Sequence, residues 1–141
     1  SHRDLSPGNV FLVQGGPARV MDFGSARLPR DPMGVSSGRL VLGTPSCLAP
    51  ERVLGEDPGS SAGDVWSLGV LLYRMIAGVD PFRASNPLAL MQRIVRAPAE
   101  PLSVLRDELP RGLSLLVLRM LSKDPSLRPG LDEIRRALQS S

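Results

Sequence analysis

Three short strings follow one another along this chain: His2-Arg3-Asp4 with Asn9 five residues beyond the aspartate, Asp22-Phe23-Gly24, and Ala49-Pro50-Glu51. Carboxylate and amide oxygens are the ligands that hard Mg²⁺ ions take in proteins. Another carboxylate can hold an acceptor hydroxyl while such ions neutralise the charge that spreads over a transferred phosphoryl group. Asp4 is suited to holding the acceptor hydroxyl, and Asn9 and Asp22 are suited to binding the metal ions. The strings therefore predict a phosphoryl-transfer site.

The order and spacing of these strings resemble a eukaryotic-type (Hanks-type) serine/threonine protein kinase. They match the catalytic loop, the metal-binding segment and the end of the activation segment of that family. The resemblance covers nearly all of the 141 residues but only the large, C-terminal lobe. The Gly-rich phosphate loop, strand lysine and helix glutamate of the small lobe have no counterpart in this sequence. We therefore expect part of a kinase domain without its N-terminal lobe. That missing lobe is an expected partner of this chain.

The fold class that the resemblance implies is α+β but mainly α-helical, a kinase-like large lobe with a short β-hairpin at the active site. Residues 1–141 would form a partial protein kinase domain. Its expected parts are a catalytic loop at 2–9, a metal-binding segment at 22–24, an activation segment at 22–51 and a helical subdomain at 61–139.

Local patterns favour the same layout. Two β-favouring runs at 10–13 and 19–22 flank a turn sequence and predict a hairpin. An apolar run at 64–77 that closes at Gly78 is hydrophobic on nearly every side and predicts a core helix. Caps and helical spacing predict three further helices, namely one from Asn86-Pro87 to about Arg96, one over Leu113, Leu116, Val117, Met120 and Leu121, and one over Leu131, Ile134 and Leu138.

Composition restricts the functional classes. With 42% hydrophobic residues the chain can bury a core. The net charge is +3, but the arginines are scattered and no basic stripe with interleaved aromatic residues is present, so we expect no nucleic-acid binding. The single lysine, Lys123, stands against sixteen arginines, which is typical of a GC-rich genome and favours a bacterial source.

The cellular compartment is indicated by the single cysteine, Cys47, which excludes an internal disulfide and fits a reducing environment. The most apolar run, at 66–79, is interrupted by Arg74 and is shorter than the roughly 20 residues that a bilayer requires. The N-terminus has no signal-peptide pattern. We expect a cytoplasmic location and no membrane segment in this chain.

The resemblance implies ATP and Mg²⁺ as cofactors and protein substrates as acceptors. Asp4 is the expected catalytic base, which accepts or orients the proton of the acceptor hydroxyl. Asn9 and Asp22 would hold Mg²⁺ and so bind ATP, although both residue types also form turns well. Phe11 matches the position at the floor of the adenine pocket, with an ordinary core residue as the alternative.

Several residues match structural positions of the family. His2 and Phe23 resemble the stacked pair that links the metal-binding segment, with its Gly24, to the catalytic loop, so His2 is expected to be structural and not catalytic. Asp64 resembles the buried aspartate that accepts backbone hydrogen bonds from the catalytic loop, and a buried carboxylate needs such partners.

Glu51 and Arg128 match a buried ion pair between the end of the activation segment and a late loop. Breaking one partner of such a pair should cost about 3 to 5 kcal/mol.

Regulatory residues are also implied. Arg3 can pair with a phosphate on the activation loop and order that segment. Ser36 or Ser37 is the expected autophosphorylation site, and ordinary loop serines are the alternative. Thr44 is expected to brace Asp4, and the string at 43–45 (Gly-Thr-Pro) favours serine and threonine acceptors over tyrosine.

Two positions depart from the family pattern. Ser6 occupies the place of a lysine that contacts the transferred phosphate, and loss of one preorganised contact commonly costs about 10² to 10³ in rate. Cys47 replaces the usual tyrosine of the peptide-binding loop, which affects acceptor specificity. Neither change removes the metal ligands or the base.

Two alternative functions stay open. The first is a non-catalytic pseudokinase or interaction lobe, because residues 1–141 alone lack the phosphate-binding lysine. The second is a small-molecule phosphotransferase of the aminoglycoside-kinase type, which has a similar catalytic loop. The Ala49-Pro50-Glu51 string and residues 64–69 favour a protein kinase over that second option, since a small-molecule enzyme needs no peptide-docking segment.

Overall fold

The computed structural model describes residue 2 and residues 5–21, 45–56 and 60–140. Within these residues the regular elements are strands β1 (Val10–Leu12) and β2 (Ala18–Val20) and helices α1 (Pro50–Val53), α2 (Ser61–Ala77), α3 (Pro87–Arg96), α4 (Leu102–Leu105), α5 (Arg111–Met120) and α6 (Leu131–Gln139). Short 3₁₀ turns cover Pro7–Asn9, Pro45–Cys47 and Pro125–Leu127. The described part is thus mainly helical with one small sheet, as the sequence predicts.

The predicted hairpin is confirmed, with slightly shorter strands. β1 pairs antiparallel with β2, and Phe11 lies opposite Arg19. The connecting turn needs Gly15, whose φ of 72° lies in the left-handed region that side chains disfavour. Beyond the strands, the Met21 N–H donates to the Asn9 carbonyl at 2.9 Å, so the pairing continues toward the expected metal-binding segment.

Helix α2 begins three residues before the predicted start and ends as predicted. Gly78 has a φ of 75°, and its N–H donates to the Arg74 carbonyl at 2.9 Å, which closes the helix. Trp66, Val70 and Tyr73 are fully or almost fully buried. The prediction of a helix buried on nearly every side is wrong for the last turn, where Met75 is exposed because α4, α5 and the Pro45–Cys47 turn pack on the other side of the helix.

The predicted start and end of α3 are confirmed. The Asn86 side-chain oxygen accepts a hydrogen bond from the Ala89 N–H at 2.8 Å, and Pro87 fills the first helical position. The helix stops because Ala97 precedes Pro98, and a residue before proline is driven to extended backbone. Ala97 accordingly has φ −84° and ψ 137°.

Helices α5 and α6 complete the core against α2. Gly69 allows the close approach of α2 to α5, since a Cβ there would lie 2.9 Å from the Met120 Cβ. Helix α5 buries its apolar face as predicted. Helix α6 buries Ile134, but Leu131 and Leu138 are 60% and 40% exposed, so the predicted apolar face is only partly used. Among the described residues, no helix is both long and apolar enough to cross a membrane.

Candidate functional site

The structure describes some of the predicted site residues, and others lie outside the described ranges. The site residues that lie outside the described residues are Arg3, Asp4, Asp22, Phe23, Gly24, Ser36, Ser37 and Thr44. The site residues that it describes are His2, Asn9, Phe11, Glu51, Asp64 and Arg128.

Asn9 lies at the end of the Pro7–Asn9 turn, where β1 begins. Its N–H donates to the Ser6 carbonyl at 3.0 Å, and its carbonyl accepts the hydrogen bond from Met21. Met21 directly precedes Asp22 in the sequence. The hairpin therefore brings Asn9 beside the residue that leads into the second expected metal ligand.

His2 is buried and tied at both its backbone and its ring. Its Nε2 lies 2.7 Å from the Met21 carbonyl oxygen, and because a carbonyl can only accept, Nε2 carries the proton and donates. Its backbone N–H donates to Asp64 Oδ2 at 2.5 Å. His2 thus joins the start of the expected catalytic loop to the end of β2, and Nε2 is engaged in that contact.

Asp64 stands in the first turn of α2, where the helix dipole favours a carboxylate. One of its carboxylate oxygens accepts from His2, and the other accepts from Arg52 Nη2 at 3.2 Å. The Arg52 side chain is almost completely buried. Asp64 therefore connects residue 2 to both α1 and α2.

Arg52 is a residue that sequence reasoning missed. Its guanidinium lies against Gly63, where a Cβ would come within 2.5 Å of Arg52 Nη2. It also donates to the Ser60 carbonyl at 3.4 Å. The only signal in the sequence was a charged residue directly after Glu51, which does not separate a buried arginine from a surface one.

Glu51 and Arg128 form a buried bidentate ion pair. Arg128 Nη1 lies 2.6 Å from Glu51 Oε1, and Arg128 Nη2 lies 2.7 Å from Glu51 Oε2. The Glu51 side chain is 10% exposed and the Arg128 side chain is 1% exposed. Arg128 also donates to the carbonyls of Ala62 at 2.8 Å and Ser122 at 2.9 Å. One guanidinium thereby holds α1, the start of α2 and the loop after α5 together.

The hairpin exposes several large apolar side chains. Phe11 is 50% exposed and is not part of the core that the described residues form. Other large apolar side chains of the hairpin are also exposed, namely Leu12, Val13, Val20 and Met21. Phe11 and Leu12 are neighbours on β1 and point to opposite faces, so apolar side chains are exposed on both faces of the hairpin.

The two departures from the family pattern are both buried. Ser6 and Cys47 are each less than one tenth exposed. The Cys47 carbonyl accepts a hydrogen bond from Ser67 Oγ at 2.8 Å, which anchors the Pro45–Cys47 turn to α2. The Cys47 side chain belongs to the main apolar core, together with Ala49 and Ile94. Cysteine at this position therefore serves core packing.

A family model described as the protein kinase domain matches residues 1–139. The chain belongs to the protein kinase domain family, and the family prediction made from the sequence strings is confirmed.

Similar curated proteins include bacterial serine/threonine kinases. The chain is 42% identical to the serine/threonine-protein kinase pkn2 of Myxococcus xanthus, over 91% of the chain and 16% of that protein. It is 37% identical to the probable serine/threonine-protein kinase SCO3848 of Streptomyces coelicolor, over 95% of the chain and 20% of that protein. It is 35% identical to the serine/threonine-protein kinase PknA of Mycobacterium tuberculosis, over 90% of the chain and 28% of that protein. The chain thus spans less than a third of the length of each of these relatives.

Proposed function

We propose that this chain is the large lobe of a serine/threonine protein kinase that transfers the ATP γ-phosphate to protein hydroxyl groups. The observation that carries the proposal is the Asp64 carboxylate, which receives the His2 N–H at 2.5 Å and so fixes the backbone two residues before Asp4. The family match and the printed names of the relatives support the same activity. In this proposal residues 2–9 form the catalytic loop, 22–24 the metal-binding segment, 22–51 the activation segment and 61–139 the helical subdomain.

Asp4 is the proposed base that orients the acceptor hydroxyl and takes its proton. Asn9 and Asp22 would hold Mg²⁺, and their amide and carboxylate oxygens are the donor types that this ion prefers. When bound, Mg²⁺ supplies positive charge against the phosphate oxygens. The hydrogen bond from Met21 to Asn9 supports this pairing, because it holds the residue before Asp22 beside Asn9.

The exposed Phe11 is the proposed floor of the adenine site, and the apolar hairpin around it is the proposed contact surface for a small lobe. Arg3, with a phosphate on Ser36 or Ser37, is proposed to order the activation segment. Thr44 is proposed to brace Asp4. Protein substrates would dock near the Pro45–Cys47 turn and α1, which the Glu51–Arg128 pair and the Ser67–Cys47 hydrogen bond hold in place.

The test is phosphoryl transfer from γ-labelled ATP to casein by the complete kinase that carries this chain, compared with Asp4→Asn. We expect loss of transfer in that variant. Asp107→Asn is the matched control because Asp107 is an exposed aspartate in a turn far along the chain from Asp4. Transfer that survives Asp4→Asn would contradict the assigned base, and transfer to an aminoglycoside in place of casein would contradict the substrate class.

A non-catalytic interaction lobe is the second candidate, and Ser6 is the observation that favours it. The position that normally carries a phosphate-contacting lysine holds a buried, uncharged side chain here. Absence of transfer by the unsubstituted complete protein, together with retained binding of a partner protein, would support this candidate.

A further inference from the structure

Lys123 lies in the loop after α5, beside two stacked aromatic rings. Its Nζ is 4.0 Å from the centre of the Phe82 ring and 4.8 Å from the centre of the Trp66 ring. The two rings are almost parallel, with centres 5.6 Å apart. An ammonium group is attracted to such rings by their quadrupole, and the attraction grows as water is excluded. Lys123 is therefore held in a defined position.

The Lys123 ammonium also satisfies a carbonyl that α3 leaves without a helical partner. Ile94 lies in the last turn of α3, and its carbonyl would normally accept from the N–H four residues later. That position is Pro98, which has no N–H. Lys123 Nζ donates to the Ile94 carbonyl at 2.5 Å instead. A cation at this end of the helix is also favoured by the helix dipole.

The geometry favours a compact ammonium over a guanidinium. A lysine ammonium is a point charge with three rotatable donors, whereas the arginine fork is planar and larger. The Arg128 guanidinium already lies over the Trp66 ring, with Cζ 5.2 Å from the ring centre. Burial and the Arg128 charge lower the pKa of Lys123 to about 8, so the charged form still dominates at neutral pH. These contacts account physically for a lysine at this position in a chain whose other basic side chains, apart from His2, are arginines.

Helix α3 connects this lysine to the proposed acceptor site. The helix packs against both α1 and the Pro45–Cys47 turn. Ile94, whose carbonyl Lys123 binds, has a fully buried side chain in the same apolar core as Cys47 and Ala49. A shift of the α3 end would therefore displace the segment on which a protein substrate is proposed to dock.

We propose that Lys123 is a positioning residue for the protein substrate, since it fixes the C-terminal end of α3 and, through α3, the segment at 45–53. This inference rests on the proposed kinase function. It assigns Lys123 no contact with ATP or with the reacting atoms.

The test compares Lys123→Met and Lys123→Arg with the unsubstituted complete kinase. Methionine keeps a stem of similar length without the charge, and arginine keeps the charge without the compact head. We expect the KM for casein to rise about tenfold in both variants, which corresponds to about 1.4 kcal/mol. The kcat and the KM for ATP should stay within about twofold, because only binding of the protein substrate is affected. Arg135→Met, on the exposed side of α6, is the control and should change none of these constants.

Tryptophan emission provides a second readout that does not depend on activity. Trp66 is the only tryptophan of this chain, and its indole faces the Lys123 ammonium. Loss of that charge in Lys123→Met should shift the emission of Trp66, whereas Arg135→Met should not.

Folded Lys123 variants with an unchanged KM for casein would overturn the proposal. Failure of both variants to fold would overturn it too, because Lys123 would then support the whole lobe and not the docking segment in particular. If the unsubstituted kinase transfers no phosphate, the proposed function fails first and this inference fails with it.

Discussion

Removal of one partner from the Glu51–Arg128 pair tests how the buried ion pair stabilises this lobe. In Glu51→Gln, one oxygen still accepts from the guanidinium, but the new amide N–H₂ faces an Arg128 N–H. In Arg128→Met, the Glu51 carboxylate loses its guanidinium, and the Ala62 and Ser122 carbonyls lose their donors. The two variants therefore differ in how many buried polar groups they leave without a partner.

The expected magnitudes follow from burial and geometry. Both guanidinium–carboxylate contacts are shorter than 2.8 Å, and the two side chains are almost excluded from water. Loss of one partner of a buried pair costs about 3 to 5 kcal/mol. We place Glu51→Gln at about 3 kcal/mol and Arg128→Met at about 5 kcal/mol, the larger value because more groups lose a partner.

The assay is urea unfolding of this chain, followed by the emission of Trp66, whose ring lies 5.2 Å from Arg128 Cζ. A loss of about 3 kcal/mol lowers the urea midpoint by about 1 to 2 M in a domain of this size. The matched control is Glu133→Gln, which breaks the Arg119–Glu133 pair. That pair is equally close at 2.5 Å, but its side chains are 52% and 44% exposed.

An exposed ion pair is worth about 0 to 1 kcal/mol, so Glu133→Gln should move the midpoint little. Equal losses in Glu51→Gln and Glu133→Gln would refute the reasoning, because burial would then not determine the cost. A Glu51→Gln loss larger than that of Arg128→Met would also refute it.

Two further predictions concern packing and protonation. Gly69→Ala should destabilise the chain by about 1 to 3 kcal/mol, since the added Cβ would lie 2.9 Å from the Met120 Cβ. Gly112→Ala, in the first turn of α5, meets no atom within 4 Å beyond its own helix and should stabilise the chain by about 0.5 kcal/mol or less. Urea midpoints of the two variants check the contrast. The pKa of Lys123 is lowered from 10.5 to about 8, so the unfolded chain carries more protons than the folded chain between these values, and the free energy of unfolding should increase with pH through that window. Urea unfolding at pH 7.5 and 9.5 checks the sign of this change, and the increase should be absent in Lys123→Met. Burial is the main cause of the raised pKa of Tyr73, and above pH 10 this raised pKa should lower the free energy of unfolding as pH rises.

Local sequence determined the elements whose signals lie within a few residues. The turn and β-favouring runs located the hairpin, and Asn86-Pro87 located the start of α3, because caps and turns are made by neighbouring groups. The three ordered strings between residues 2 and 51 were enough to indicate the kinase family, which the family match confirmed. The roles of Asp4 and Asp22 stay predictions, since both residues lie outside the described part of the structure.

Other structural features, including two short helices and the extent of burial of α6, are visible only in the folded chain. Helices α1 and α4 were not predicted, because four residues are too few to show a helical period. Helical spacing alone placed Leu131 and Leu138 on a buried face, whereas α6 contacts the core mainly through Ile134. Spacing reports which residues share a face, but not how much of that face a neighbouring helix covers.

Sequence by itself thus determined the family, the hairpin and most helix boundaries, which depend on local hydrogen bonds and on the order of short motifs. Only the tertiary structure revealed that Arg52 binds Asp64 and that Lys123 caps α3. Those contacts join residues that are 12 and 29 positions apart, and a side chain's partner at such a separation is set by the packing of whole helices. A charged residue in the sequence looks the same whether it is solvated or buried, and the fold decides between the two.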